Sequence, residues 1–181
     1  MKNFLLLLFL IGSALVGRAQ DTYTLTEGST LSIDGTSTVS DWTVIANTME
    51  GSLQEDSGTL SSVVFSVPVS DIESGRAEAM DTKMHEALKQ EEHPKVTFSV
   101  KNAKTSTGGK QELKGTMNIA GVENQVAVPA TITQKDGAIF ISGERKITLK
   151  DYDIEPPSAM FGSIVVGEEV TVKFDLEFTK S

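Results

Sequence analysis

From Val170 to Phe178 every second residue is apolar: Val170, Val172, Phe174, Leu176 and Phe178 alternate with Thr171, Lys173, Asp175 and Glu177. Side chains repeat every two residues on a β-strand, so this segment has one face for a core and one for water. A helix built from the same letters would spread both kinds of residue around its circumference. The alternation recurs: Val63, Phe65 and Val67 share a face, as do Val96, Phe98 and Val100, and then Val126, Val128 and Ile132. It predicts strands over residues 22–26, 30–35, 41–48, 59–68, 95–103, 111–119, 125–134, 138–148 and 169–179. Thr107-Gly108-Gly109 and Lys135-Asp136-Gly137 fall between consecutive strands and supply the glycine that tight hairpins need. Neighbouring strands are therefore expected to be antiparallel.

One segment breaks the pattern. Between Arg76 and Gln90 the chain turns to helix formers, with Met80, Met84, Ala87 and Leu88 on one stripe and Glu78, Lys83, Glu86 and Lys89 away from it. This predicts a single amphipathic helix with Ser74 as a plausible cap and without a full capping box, since Ala77 stands three residues on. Pro94 ends it. Residues 153–167, with the pair Pro156-Pro157, are expected as an irregular loop. No repeat, low-complexity tract or linker divides the chain.

At the N-terminus Lys2 precedes an apolar run over 4–16, and Gly17-Arg18-Ala19 supplies the small residues a signal peptidase reads. Residues 1–19 are expected to be a signal peptide and 20–181 one domain. The run is shorter than the roughly 20 apolar residues that span a bilayer, so no permanent membrane anchor is expected. The domain left, 162 of the 181 residues, is long enough to bury a real core. With no cysteine there is neither a thiol for a lipid anchor nor a disulfide. The expected location is the periplasm or outside the cell. The formal net charge of −9 becomes −11 when Lys2 and Arg18 are removed, a balance that disfavours nucleic acid and anionic lipid headgroups as partners.

Catalytic motifs are missing. There is no glycine-rich phosphate loop, no Gly-x-Ser-x-Gly elbow and no cysteine nucleophile. His85-Glu86-Ala87-Leu88-Lys89 departs from the zinc-protease pattern at its fifth position, where the metal needs a second histidine. With two histidines and no cysteine, neither metal nor cofactor is expected, and His85 and His93 are read as surface residues.

Eight or nine strands joined by hairpins must dispose of two sheet edges, and closure into a barrel does so. A barrel of about eight strands has an interior that side chains fill or that holds one ligand. Composition leaves a two-sheet sandwich equally open. Three blocks bear on the choice. Met80-Asp81-Thr82-Lys83-Met84-His85 is followed by His93-Pro94-Lys95-Val96-Thr97-Phe98; then comes Leu113-Lys114-Gly115-Thr116-Met117-Asn118-Ile119-Ala120-Gly121-Val122, with Val126 and Val128; then Ile147-Thr148-Leu149-Lys150-Asp151-Tyr152-Asp153-Ile154. Their order and spacing, with Ser37-Thr38-Val39 near the start, resemble the YceI-like family. Asp153 stands where glycine is usual, and Ser40-Asp41-Trp42 replaces a histidine found before the aromatic in many relatives.

The resemblance implies an all-β, lipocalin-like antiparallel barrel with one helix and an apolar interior. It implies that the chain is no enzyme and holds a long-chain lipid, isoprenoid or isoprenoid quinone for transport or storage, as a monomer or homodimer. The implied ligand-contacting residues are Trp42, Val63, Phe65, Val67, Phe98, Val100, Met117, Val128, Phe140, Met160, Phe161, Val172 and Phe174. Each would serve an ordinary core equally well. The alternatives are a secreted β-sandwich interaction or carbohydrate-binding module, and an enzyme. A carbohydrate binder needs aromatic platforms, for which Trp42, Tyr23 and Tyr152 are a thin supply.

Overall fold

The computed structural model describes residues 20–76 and 78–181; the expected signal peptide and its cleavage point lie outside them. The strands are β1 (Asp21–Leu25), β2 (Thr30–Ser37), β3 (Trp42–Ala46), β4 (Glu50–Asp56), β5 (Thr59–Pro68) and β6 (Ile72–Glu73). Helix α1 (Glu78–Ala87) follows. The remainder are β7 (Lys95–Ser106), β8 (Gly109–Ile119), β9 (Val122–Lys135), β10 (Ala138–Thr148), β11 (Ser158–Ala159) and β12 (Ile164–Lys180).

Eight of these strands close a ring in the order β1, β4, β5, β7, β8, β9, β10, β12 and back to β1. All of its pairings are antiparallel, and closure pairs Tyr23 with Lys180 and Leu25 with Phe178. A sandwich would leave edges; here β12 meets the first strand and the barrel has none along that seam. On the side away from β10, strand β12 changes partner along its 17 residues: its last residues pair β1, and Val166 to Asp175 pair β2. Strands β2, β3 and β6 thus form a flap that continues the wall beyond the closed ring.

Three barrel hairpins turn on non-glycine/glycine pairs in the left-handed region, Ser57-Gly58, Ala120-Gly121 and Asp136-Gly137. That geometry matches the twist of the flanking strands. Asp153 also adopts φ 52°, a left-handed conformation that aspartate tolerates better than most residues other than glycine.

The expected strands are present, and three more accompany them. Strand β4 carries Gly51, Leu53 and Glu55 on its inner face, so its sequence shows no apolar alternation. Glycine at position 51 gives the Phe178 ring room, since an added methyl group would sit 3.2 Å from it. Glu55 is buried because its carboxylate accepts the backbone N–H of Gly58 and caps the β4–β5 turn. The expected loop over 153–167 is shorter than predicted: β12 begins at Ile164, held to β11 by pairing of Ser158 with Val165.

The barrel is packed solid at one end. Tyr23, Leu53, Leu60, Val63, Val100, Leu113, Val128, Ile132, Ile139, Ile141, Leu176 and Phe178 form one buried cluster there. Nearer the middle, β9 and β10 separate beyond the pair Gly143–Ala130. The Arg145 guanidinium bridges the split by donating to the Ala127 carbonyl oxygen, and Asn124 donates to the Asp151 carbonyl oxygen at 2.7 Å, closing the gap with the turn that holds Tyr152.

Candidate ligand cavity

Above the packed end the barrel is hollow. A cavity of about 460 Å³ lies between the ring, the β2–β3–β6 flap and helix α1. Its floor is a row across three adjacent strands, since Phe65 on β5 is paired with Phe98 on β7, and Phe98 with Met117 on β8. All three are only half-buried although they point inward, because their free surface faces the cavity. Leu31, Ile33, Trp42, Val44, Val67, Ile119, Val170 and Val172 build the walls. The roof is helix α1, whose stripe Met80, Met84, Ala87 and Leu88 faces the cavity. That stripe explains why the helix has an apolar face and yet no buried residue.

Trp42 is held by two devices. It sits directly across the ladder from Gly35, where any side chain would overlap the indole ring, and its Nε1–H donates to the Thr36 carbonyl oxygen at 2.9 Å. The helix is held by His85, whose Nε2 lies 2.8 Å from the Ile72 carbonyl oxygen on β6, and by Asp81, whose carboxylate accepts the Ser74 backbone N–H at 2.8 Å. His93 packs against Gly121 in the β8–β9 turn. Both histidines are half-buried and positioned within the fold, so reading them as plain surface residues requires correction.

Most polar groups of the lining cluster at the mouth, while Thr43 on β3 and Thr97 on β7 join the walls and floor. Ser37, Ser40, Ser74, Arg76, Asp81, Lys83 and Ser158 reach the cavity from the β2–β3 turn, the start of α1 and the segment before β12. Val39, Ser40, Arg76, Met80 and Lys83 both line the cavity and are exposed, so they mark where it opens to solvent. Among the described residues no histidine lines the cavity, and no group of three or more His, Asp or Glu side chains is placed to share a metal ion.

Of the residues expected to touch ligand, Trp42, Phe65, Val67, Phe98, Met117 and Val172 line the cavity. The others lie elsewhere. Val63, Val100 and Val128 belong to the packed cluster, and Phe174 packs against it, because alternation gives inward parity but not height along the barrel axis. Phe140 faces outward between Ile139 and Ile141, opposite Glu177 and Thr133; a continuous apolar run hides which parity is inward. Met160 and Phe161 project into solvent beside the mouth. The roof residues Met80, Met84, Ala87 and Leu88 are legible in the sequence as a helical stripe, and of these Met80 and Met84 also as adaptable surface for an apolar chain.

The model of the YceI-like domain family matches residues 23–178. The chain belongs to the YceI-like family. Solved structures share this YceI-like fold at low identity. BcnA of Burkholderia cenocepacia is 18% identical, with 82% of this chain and 95% of that chain covered and a TM-score of 0.70. A polyisoprenoid binding domain from Saccharophagus degradans, implicated in plant cell wall breakdown, is 14% identical over 90% of this chain and all of that one, with a TM-score of 0.72. The Campylobacter jejuni YCEI protein is 16% identical over 76% and 84%, with a TM-score of 0.58. No curated protein matches the sequence.

Proposed function

We propose that this chain is an exported carrier that holds one long-chain apolar molecule, an isoprenoid, isoprenoid quinone or other lipid, inside the hollow end of the barrel, for transport or storage. The observation that carries this reading is the cavity itself: floored by Phe65, Phe98 and Met117, mainly apolar along its walls and charged only at its mouth. That division suits an amphipathic guest with its tail inward. About 460 Å³ lies within the range of roughly 300–1,000 Å³ of sites for small ligands. Each methylene buried in such walls contributes about 0.8 kcal/mol, so ten supply roughly 8 kcal/mol before ordering costs. Binding of this kind needs no covalent step. The printed description of the Saccharophagus degradans domain as polyisoprenoid binding supports the ligand class. Export to the periplasm or beyond rests on the N-terminal apolar run and the small residues after it.

Organic extraction of the purified protein followed by mass spectrometry tests the reading. A lipid or isoprenoid recovered in near-stoichiometric amount is expected. Trp42 is the chain's single tryptophan and stands in the cavity wall, so titration with such a compound should change its emission. An empty extract together with unchanged emission for every apolar compound tried would refute the carrier.

A further inference from the structure

Seven large apolar side chains are exposed among the described residues: Val39, Ile45, Val64, Met80, Met160, Phe161 and Val165. Only Ile45 and Val64 stand away from the cavity mouth, each on the outer face of a strand. The other five sit on the three segments that frame it. Val39 is at the tip of the β2–β3 turn, Met80 is in the first turn of α1, and Met160, Phe161 and Val165 flank the start of β12. Hydrogen bonds from Thr38 N–H to the Val165 carbonyl oxygen at 3.0 Å and from Thr38 Oγ1 to the Ser163 carbonyl oxygen at 3.1 Å join the first and third segments into one rim.

The exposure there is extreme. Phe161 is 111% exposed, more than in an extended chain, with Met160 at 70% and Val39 at 66%. Met160, Phe161 and Gly162 are consecutive left-handed residues, φ 52°, 56° and 85°, an unfavourable backbone for two bulky side chains that here points the ring away from the protein. Arg76 and Lys83 stand at the same mouth, and among the described residues neither forms an ion pair, although acids outnumber bases in the chain by 25 to 16. Of the acids nearby, Asp81 lines the cavity and is turned to the Ser74 backbone N–H, and Asp41 stands exposed in the β2–β3 turn.

We propose that this rim is a membrane-docking surface, with Phe161, Met160 and Val39 entering the outer layer of a phospholipid bilayer and Arg76 and Lys83 meeting its phosphates. An apolar tip flanked by cations fits that chemistry. The patch is also continuous with the cavity lining through Val39, Ala159 and Ile164, so an apolar guest moving between bilayer and barrel would stay out of water. The inference goes beyond the carrier reading and relies on it only for the identity of what passes.

The test is flotation with phosphatidylcholine vesicles containing phosphatidylglycerol, using protein recovered from the same host for the wild type, Phe161→Asn and Val64→Asn. Asparagine tolerates the left-handed conformation, so the loop keeps its shape while the ring is lost. All three proteins carry the same N-terminus, whose contribution cancels. The wild type and Val64→Asn should float alike, and Phe161→Asn should lose roughly tenfold or more in partitioning, with thermal unfolding unchanged. Flotation of Phe161→Asn equal to the wild type overturns the proposal, as does equal loss in Val64→Asn. A wild type that does not float, but whose dimer on size exclusion is broken by Phe161→Asn, overturns it too and assigns the face to a second copy. Bound lipid is measured in each sample: floating protein without cargo would sink the carrier reading and leave the docking surface standing.

Discussion

Phe98 stands at the boundary between the packed and hollow ends, paired with Phe65 on one side and Met117 on the other. Shortening it to alanine removes contacts and deepens the cavity toward the packed cluster, and core Phe to Ala changes commonly cost about 3–5 kcal/mol. The loss should fall toward the low end, since one face of the ring has no protein neighbour to lose. Phe98→Ala should accept longer guests and retain more of them on extraction. Phe98→Asp places a carboxylate against apolar walls; it should stay folded but lipid-free if the empty cavity is wet, and unfold if it is dry. Thermal unfolding and bound-lipid content of the three proteins separate these cases. Gly35 and Trp42 give a second residue-scale test. Gly35→Ala should drive the indole off its seat, shift Trp42 emission and weaken guest binding, with a stability loss of about 1–3 kcal/mol typical of overpacking. Asp34 gives a third. The Lys173 ammonium at 2.8 Å and the Thr43 hydroxyl hold its carboxyl below the usual carboxylate range. Its contribution is therefore present above that range and lost as pH falls through the lowered value. The pair is exposed, so Asp34→Asn should cost little at neutral pH, and its difference from the wild type in thermal unfolding should vanish in acid.

Among elements, helix α1 is the one most readily moved, because it roofs the cavity with no residue buried in the core. Its link to β6 through His85 should be replaceable by an amide that donates to the same Ile72 carbonyl oxygen. Replacing His85 and His93 together by Gln should leave guest binding within a few-fold, whereas His85→Ala should speed hydrogen exchange of the α1 amides. The same elements show what sequence can reveal. Strands β5, β7 and β12 were legible because each puts at least three large apolar residues on one face, and α1 because its period changes. Strand β4 was hidden, since Gly51 makes room for the Phe178 ring and Glu55 caps a turn: both roles are set by partners distant in the chain. Of the thirteen residues expected to touch ligand, six line the cavity, for a similar reason. Parity tells which side chains enter the barrel, but whether one joins the packed end, as Val63 does, or presents free surface to the cavity, as Phe65 does, depends on the height at which the flap leaves the ring.

At the scale of the whole molecule, stability and binding reside in opposite ends of one barrel. Phe178 lies wholly inside the packed cluster, and Phe178→Ala should cost about 3–5 kcal/mol while leaving guest affinity unaltered, the reverse of what Gly35→Ala does. Chemical unfolding and fluorescence titration of the two variants side by side would show it. The seam between β1 and β12 bears on how the fold is reached. Tyr23 and Lys180 are partners, as are Leu25 and Phe178, so the pairing that shuts the ring joins residues more than 150 positions apart. Such a loop is entropically costly to close and slow to form. A ribosome must make nearly the whole chain before Phe178 can reach Leu25, and until then the apolar faces of β1 and β4 have no barrel to enter. Newly made chains are thus committed to a waiting period with their apolar faces uncovered, the interval in which a holding chaperone would find them and in which transit through a narrow channel meets no folded obstacle.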